Sequence, residues 1–580
     1  MDPHDADMAV LKADRPDECH NDLVVVGAGA AGMTAALVAA LHGLKVTLLE
    51  ATEQVGGTTS TSAGTLWIPG SSHGTRAGHG DSLDEARTYL DALIGPDDPQ
   101  GLRTAYLSCA AEAIDYLEAN SSVEFRSAGT HPDYLELPGA AMAGRAISPV
   151  EFDGRRLGNA FFRVRPPMPH FMVLGGMMVG KADISALLGR FRSTGKLLHT
   201  ARLLSRYALD RLRGYRRGTR LVMGNALVAR LLMSLQQAGV TVLYGMRCES
   251  LVHEAGRVSG ARIRRGESGE SRVIGSTAGV VLCTGGVGHS SELRRAFGTD
   301  VLQSRSLSFE GNRGEGITAA LAVGAALERS TPDFLWQPVS LVPERAGRQS
   351  LYPHLFLDRA KPGLLAVDRA GRRFVNEGAS YHHFVEAMRL ASEKVQGPAP
   401  AYLICNVAFV KQYGLGAIHP GKTDLGTWVE RGYVAVADTF EALARKLGIE
   451  AEGLESSVRQ MNEAAVQGGD VVFGKGSTAV SRFNGDPDQV PNPCLAPLIE
   501  GPYVGLEIWP GESASSSGIS TTADGEVLTA SGLVVPGLYA CGNDMASIWR
   551  GTYPGPGATL GPAMVFAYRL VRGIVAKRQR

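Results

Sequence analysis

Three glycines at fixed spacing, Gly27-Ala28-Gly29-Ala30-Ala31-Gly32, sit between the apolar run Leu23–Val26 and an alanine-rich stretch. No other feature constrains the fold as strongly. The first glycine permits a tight turn, the second lets a pyrophosphate approach the backbone, and the third allows close packing of helix on strand. Backbone N–H groups at the helix start, around Ala31, favour phosphate charge. A second apolar run ends at Glu50, where a carboxylate can accept hydrogen bonds from a ribose diol. Residues 23–50 therefore read as strand, turn, helix, strand, and the chain belongs in the α/β class.

At 580 residues the chain has room for two to four domains of about 150 residues. A strand followed by glycines recurs at Val280–Cys283, ahead of Thr284-Gly285-Gly286, and at Gly537–Ala540, ahead of Cys541-Gly542-Asn543. A helical stretch is read at Gly316–Leu327. If these strands share one sheet, the middle of the chain is an insertion. The expected organisation is a disordered tail over 1–20, a discontinuous Rossmann-like domain over 21–335 and 505–580, and an inserted α+β catalytic domain over 336–504.

Lys+Arg and Asp+Glu balance at 58 each, which excludes a nucleic-acid binder that relies on a global basic field. The seven cysteines form no CxxC pair, so neither a disulfide scaffold nor a structural metal site is expected. The polar, acidic N-terminus and the lack of an 18-residue apolar run predict a cytoplasmic protein. One segment departs from this evenness. Residues 186–220 hold ten Lys/Arg and one acid, and Leu197, Ala201, Leu204, Ala208, Leu212 and Tyr215 recur at helical spacing. This predicts a basic amphipathic helix, with two readings for 190–217: peripheral contact with an anionic membrane, or packing on the body or in a dimer.

Beyond Glu50, Gly56-Gly57-Thr58-Thr59-Ser60 and Ser62-Ala63-Gly64 supply a second loop of small and hydroxyl residues. This arrangement resembles the FAD-binding opening of the fumarate reductase and succinate dehydrogenase flavoprotein superfamily, as do the Thr284-Gly285-Gly286 and Gly542-Asn543 segments. The resemblance implies FAD as cofactor, contacted by Gly27, Gly29, Ala31, Gly32, Glu50, Gly57, Thr58, Thr59, Ser62, Gly64, Gly285, Gly542 and Asn543.

The stretch Thr552-Tyr553-Pro554-Gly555-Pro556-Gly557-Ala558-Thr559-Leu560 precedes a helix read at Ala563–Val571. A tyrosine before a rigid loop, with a glycine N–H four residues on, supplies two donors for one oxygen, the geometry that stabilises an enolate. From about residue 21 onward the chain resembles the 3-ketosteroid Δ1-dehydrogenases. The resemblance assigns Tyr553 and the Gly557 N–H to the steroid C3 ketone, and Gly557, Thr559 and Leu560 to the flavin. Tyr381, in Arg373-Phe374-Val375-Asn376-Glu377-Gly378-Ala379-Ser380-Tyr381, becomes the base at C2. Tyr134, in His131-Pro132-Asp133-Tyr134, becomes its helper, while flavin N5 accepts the C1 hydride. An external electron acceptor, quinone-like or of another kind, completes the cycle.

A tyrosine is a poor base at neutral pH, so a Tyr134 hydroxyl donating to Tyr381 is expected to lower its pKa. His382, His383 and Glu315 stay outside the catalytic set. Competing readings are a Δ4-(5α)-3-ketosteroid dehydrogenase, another FAD-dependent enone-forming dehydrogenase, a fumarate-reductase-like enzyme, and a non-catalytic membrane-associated flavoprotein.

Overall fold

A computed structural model of the protein describes residues 21–579 except 190, 192, 267–268, 298–304, 331, 345–346, 356–357 and 395–399. The tail expected over 1–20 lies outside the described residues. Five strands run parallel in the order Thr241–Tyr244, Val46–Glu50, Asn21–Val26, Ser271–Leu282 and Val534–Ala540. The three central ones are runs of Val and Leu because a parallel sheet is covered on both faces. Helix Ala30–Leu41 covers one face and packs against the C-terminal helix Leu560–Gln579. That last helix is longer than the expected Ala563–Val571, since its core face continues to Ile574.

Strand Ser271–Leu282 is also longer than its apolar run. Its first half turns out of the parallel region and pairs antiparallel with Arg257–Arg265, which in turn pairs with Met246–Glu254. That half is mostly exposed or half-buried, so it carries polar residues and only the parallel half was legible as a strand.

A second sheet is organised around the 13-residue strand Tyr503–Ser515. Its first half pairs with Ala401–Asn406 and its second with Phe334–Pro343, both antiparallel. The expected domain boundaries 335/336 and 504/505 fall inside the strands Phe334–Pro343 and Tyr503–Ser515, which run unbroken across them. The sheet also takes in Arg305–Ser306. Helix Tyr381–Lys394 packs on Phe334–Pro343, which brings its first residue toward the parallel sheet. The helix read at Gly316–Leu327 is observed as Glu315–Ala322, because Leu327–Glu328 pairs as a strand with Gly518–Ile519.

The basic segment folds as two helices, Lys181–Leu188 and Thr194–Leu212. The second does not pack its apolar stripe on the body, one of the two readings expected for it. Its buried stripe is Thr200, Leu203 and Asp210, and Asp210 accepts hydrogen bonds from the Thr219 N–H and hydroxyl at 2.8 Å each. Leu197, Ala201, Leu204, Ala208 and Leu212 face outward and are exposed. A polar anchor at Asp210 thus overrides the apolar periodicity. Among the described residues, no helix is long and apolar enough to cross a membrane.

Candidate active site

One cavity of about 320 Å³ runs from the glycine turn to the end of strand Tyr503–Ser515. At its near end Gly27 adopts φ +102°, and a Cβ there would meet the Cys283 carbonyl at 2.3 Å. Gly27, Gly29 and Ala31 line the cavity; Gly32 lies beneath it, where a Cβ would meet the Gly27 carbonyl at 1.8 Å. The helix above has no side-chain cap, so first-turn N–H groups remain for a ligand. Glu50 also lines the cavity, buried, and its carboxylate accepts from the Thr52 N–H at 2.9 Å and the Thr52 hydroxyl at 2.7 Å. Burial pushes this carboxyl up, and the Thr52 bonds act against that rise.

The second loop closes over the same space. Thr59 Oγ1 accepts from the Ala30 N–H at 3.2 Å, and Thr58 Oγ1 accepts from the Phe309 N–H at 2.8 Å. Ser62 Oγ accepts from the Gly64 N–H at 3.0 Å. Gly57, Thr58, Thr59, Ser62 and Gly64 all line the cavity, and a Cβ on Gly57 would meet nothing within 4 Å. Gly285, Gly542 and Asn543 line it from the far strands. These two segments are joined by Asp544, which sequence reasoning missed. Its buried carboxylate accepts from the Thr284 N–H at 2.5 Å and the Gly286 N–H at 2.9 Å. An uncapped helix start, an oriented acid and a glycine cradle that side chains would fill are the features an FAD pyrophosphate and ribose require.

At the other end three tyrosines from positions far apart in sequence converge. The Tyr134 hydroxyl is 3.0 Å from that of Tyr381. Ring centroids are 5.4 Å apart for Tyr134 and Tyr381, 5.6 Å for Tyr134 and Tyr553, and 5.3 Å for Tyr381 and Tyr553. All three are buried and line the cavity with Gly557, Thr559 and Leu560. Gly557 has φ +91°, a Cβ there would meet the Thr65 carbonyl at 2.4 Å, and its N–H has no protein acceptor among the described residues.

The tyrosine loop is held from several sides. The Pro554 carbonyl accepts from the Tyr89 hydroxyl at 2.6 Å and from the Tyr134 N–H at 3.0 Å, so the loop and Tyr134 are bonded directly. Asp133, next to Tyr134, accepts from the Trp67 indole N–H at 2.7 Å and from Arg145 at 2.6 Å. Gly555 fits against this pair: a Cβ would meet the Trp67 ring at 2.7 Å. Tyr381 begins its helix, with Ser380 Oγ accepting from the His383 N–H at 3.3 Å. The segment ahead is fixed by Arg373, which bonds Glu377 through two nitrogens at 2.9 Å each and Asp470 at 2.8 Å.

Burial, and then the neighbouring Tyr134 and Tyr553, hold the Tyr381 hydroxyl well above the usual tyrosine range. Burial also raises Tyr134 and Tyr553, and bonding to the Tyr381 and Thr559 hydroxyls acts against the rise at Tyr553. The lowering of Tyr381 expected from Tyr134 is therefore not found. A phenolate among three phenols in an apolar pocket loses more hydration than one neighbouring hydroxyl returns.

His382 is buried with its ring 5.9 Å from that of Tyr553, and its Nδ1 accepts from the Trp336 N–H at 3.1 Å. His383 bonds the Ser380 hydroxyl through Nδ1 at 2.6 Å. Glu315 lines the cavity at a helix start and pairs with Arg247.

Residues 22–560 match the FAD binding domain family. The chain is 37% identical over 561 residues to the 4-oxocyclohex-2-ene-1-carboxylate 5-dehydrogenase of Sinomonas cyclohexanicum, covering 95% of this chain and 93% of the relative. It is 34% identical over 572 residues to the 3-oxosteroid 1-dehydrogenase of Mycolicibacterium smegmatis, covering 96% and 97%. Its structure superposes with a TM-score of 0.88 on the 3-ketosteroid Δ1-dehydrogenase of Sterolibacterium denitrificans solved with 1,4-androstadiene-3,17-dione. That match has 33% identity over 97% of this chain and 100% of the other. The protein is an FAD-dependent oxidoreductase, and it belongs to the FAD binding domain family alongside the 3-oxosteroid 1-dehydrogenases.

Proposed function

We propose that the protein introduces a double bond between C1 and C2 of a 3-ketosteroid. The observation that carries this reading is the convergence of three tyrosine hydroxyls at one end of a cavity whose other end is the dinucleotide turn. Tyr553 and the Gly557 N–H hold the C3 ketone and favour negative charge on its oxygen, which acidifies the adjacent C2 proton. Tyr381 removes that proton, and Tyr134 shares its hydroxyl bond and disperses the charge. Bound FAD supplies the acceptor for the C1 hydride. Two electrons leave the substrate in each turnover, so the cycle needs an external acceptor, with a quinone-like compound the first to try.

The walls favour one substrate class. They include Met168, Phe171, Leu307, Phe309, Pro353 and Leu355, and among the described residues neither Lys nor Arg lines the cavity. Burying a carboxylate without a cation costs several kcal/mol, roughly, so these walls suit a neutral apolar ketone. The second reading, a cyclohexenone carboxylate, rests on the Sinomonas relative. Comparing kcat/KM with a dye acceptor separates them. At least about tenfold preference for a Δ4-3-ketosteroid over 4-oxocyclohex-2-ene-1-carboxylate supports the first, and the reverse ratio overturns it.

The outward face of helix Thr194–Leu212 supports membrane contact by residues 190–217. Leu198 and Leu212 are 73% and 83% exposed, and Arg202, Arg211, Arg213 and Arg216 stand exposed beside them. Flotation on anionic vesicles that is lost with Leu198→Glu and Leu212→Glu together supports this contact; equal recovery in the soluble fraction ends it.

A further inference from the structure

Behind the tyrosines lies Arg359, fully buried and not part of the cavity lining. Its guanidinium bonds only backbone carbonyls: His354 at 2.9 Å, Glu377 at 2.8 Å, Ala379 at 3.2 Å, and Leu355. The first and last belong to the cavity wall at Leu355; the other two belong to the turn that ends at Tyr381. The guanidinium also lies 4.5 Å from the Phe384 ring, one helical turn beyond Tyr381. One side chain therefore clamps the substrate wall to the element that carries the proposed base.

Its charge is as notable as its bonds. The carboxylates nearby are committed to other partners. Asp358 faces His354 Nδ1 at 2.6 Å and the Gly416 N–H at 3.2 Å. Glu377 is bonded by Arg373 and lies 4.0 Å from Lys475, and Asp470 also goes to Arg373. Asp133, next to Tyr134 in the chain, is bonded by Arg145. Other titratable groups around the tyrosines include Tyr89, Tyr553, His131 in the cavity wall, His382 against the Tyr553 ring, and His383 and Glu386 on the Tyr381 helix. The Arg359 guanidinium thus hydrogen-bonds no carboxylate among the described residues, although the Arg359 backbone N–H donates to Asp358 Oδ1 at 2.9 Å and the Asp358 and Glu377 charges both act on the cation.

We propose that Arg359 is a positioning residue for the reaction, clamping the Tyr381 turn to the Leu355 wall and supplying the positive charge that opposes ionisation's cost at the Tyr134–Tyr381 pair. The inference rests on the ring-ketone reading above. In the step it serves, the C2–H bond breaks, the proton forms an O–H bond on the Tyr381 phenolate, and the negative charge passes to the C3 oxygen held by Tyr553 and Gly557. Burial pulls Arg359 down to about 10, against the charges of Asp358, Glu377 and then Tyr134; burial raises Tyr134, and Arg359 is among the groups that act against that rise.

The test is the pH dependence of anaerobic flavin bleaching by a Δ4-3-ketosteroid in the FAD-loaded protein. Arg359→Gln is expected to move the alkaline-rising limb up by about one pH unit, about a tenfold loss at neutral pH. Arg359→Lys keeps the charge and loses the clamp, so its limb stays in place while its plateau falls. A merely structural role lowers the plateau in both and moves neither limb. A folded, yellow Arg359→Gln protein with the wild-type limb overturns the proposal and leaves the ring-ketone reading standing. If Arg359→Gln does not fold, Arg359→Met, which also removes the charge, takes its place: a limb raised by about one unit supports the proposal, and the wild-type limb overturns it. Wild-type protein that no ring ketone bleaches ends the reading and this proposal together.

Discussion

The two ends of the cavity do different work with different materials. At the dinucleotide end the contacts are backbone: positive-φ glycines, an uncapped helix start, and hydroxyls that already accept protein N–H groups. At the tyrosine end they are three side chains brought together from positions 134, 381 and 553, with buried ions and aromatic rings behind them. The first end is intolerant of added atoms; the second is intolerant of lost ones. Changes at the glycines should therefore cost the cofactor, and changes at the tyrosines should cost rate while the protein stays yellow.

The largest break in this contrast is Gly27→Val. Its Cβ would meet the Cys283 carbonyl, a backbone atom that cannot move aside, at 2.3 Å. The purified variant should be colourless, as read by flavin absorbance against protein. A flavin stoichiometry near one would show that the turn does not hold the cofactor.

Next come the tyrosines. Tyr381→Phe removes the proposed general base and should lower the rate of anaerobic bleaching by about 10²–10⁴. Tyr553→Phe removes a proposed donor to the developing oxyanion, about 10²–10³. Both should retain bound flavin. Unchanged turnover in either removes that residue from the mechanism.

A subtler change sharpens the comparison by acting behind the tyrosine end. Trp67→Phe deletes the indole N–H that reaches buried Asp133 at 2.7 Å. A hydrogen bond to a charged group is worth about 1.5–3 kcal/mol, which thermal or urea unfolding will register. An unaltered midpoint would mean that Arg145 and the Ala141 N–H satisfy Asp133 without the indole.

The smallest effect is seen only in acid. His354 and Arg359 hold the buried Asp358 carboxyl down to about 2, against burial, which acts the other way. The stability this contributes is present above the ordinary carboxylate range and is lost as pH falls from about 4 to about 2. It amounts to about 2 kcal/mol. Asp358→Asn should flatten that part of the stability curve, and a variant with the wild-type slope there would exclude Asp358 as its source.

Much of the dinucleotide end could be read from sequence because each requirement is local. A glycine at positive φ, a helix start and a terminal acid all fall between Gly27 and Glu50, and their spacing is the geometry. Tyr553 was legible because its glycine- and proline-rich loop is itself unusual. Apart from the Tyr134–Tyr381 pair, which the family resemblance supplied, what escaped were the partners fixed by tertiary contact. Asp544 meets Thr284 260 residues away, and Trp67 meets Asp133 66 residues away, with no periodicity to signal either. Arg359 gives no sign at all, because its partners are backbone carbonyls that every residue possesses. The basic helix was legible as an amphipathic helix but its orientation was not. Its apolar spacing fits packing on the body and membrane contact alike, and Asp210, bonded to Thr219, anchors it by another face, so the leucines are left outside.

The central claim is that the tyrosine end acts on C1 and C2 of a neutral ring ketone. It is tested most directly by an anaerobic single turnover with a Δ4-3-ketosteroid, using wild-type protein and Tyr381→Phe, with the product identified by mass and NMR. The account predicts that wild-type protein bleaches its flavin band and yields a steroid with a new C1–C2 double bond. Yellow Tyr381→Phe protein should do neither on the same timescale. A double bond at C4–C5 formed from a 5α-3-ketosteroid, or bleaching by 4-oxocyclohex-2-ene-1-carboxylate alone, would contradict it.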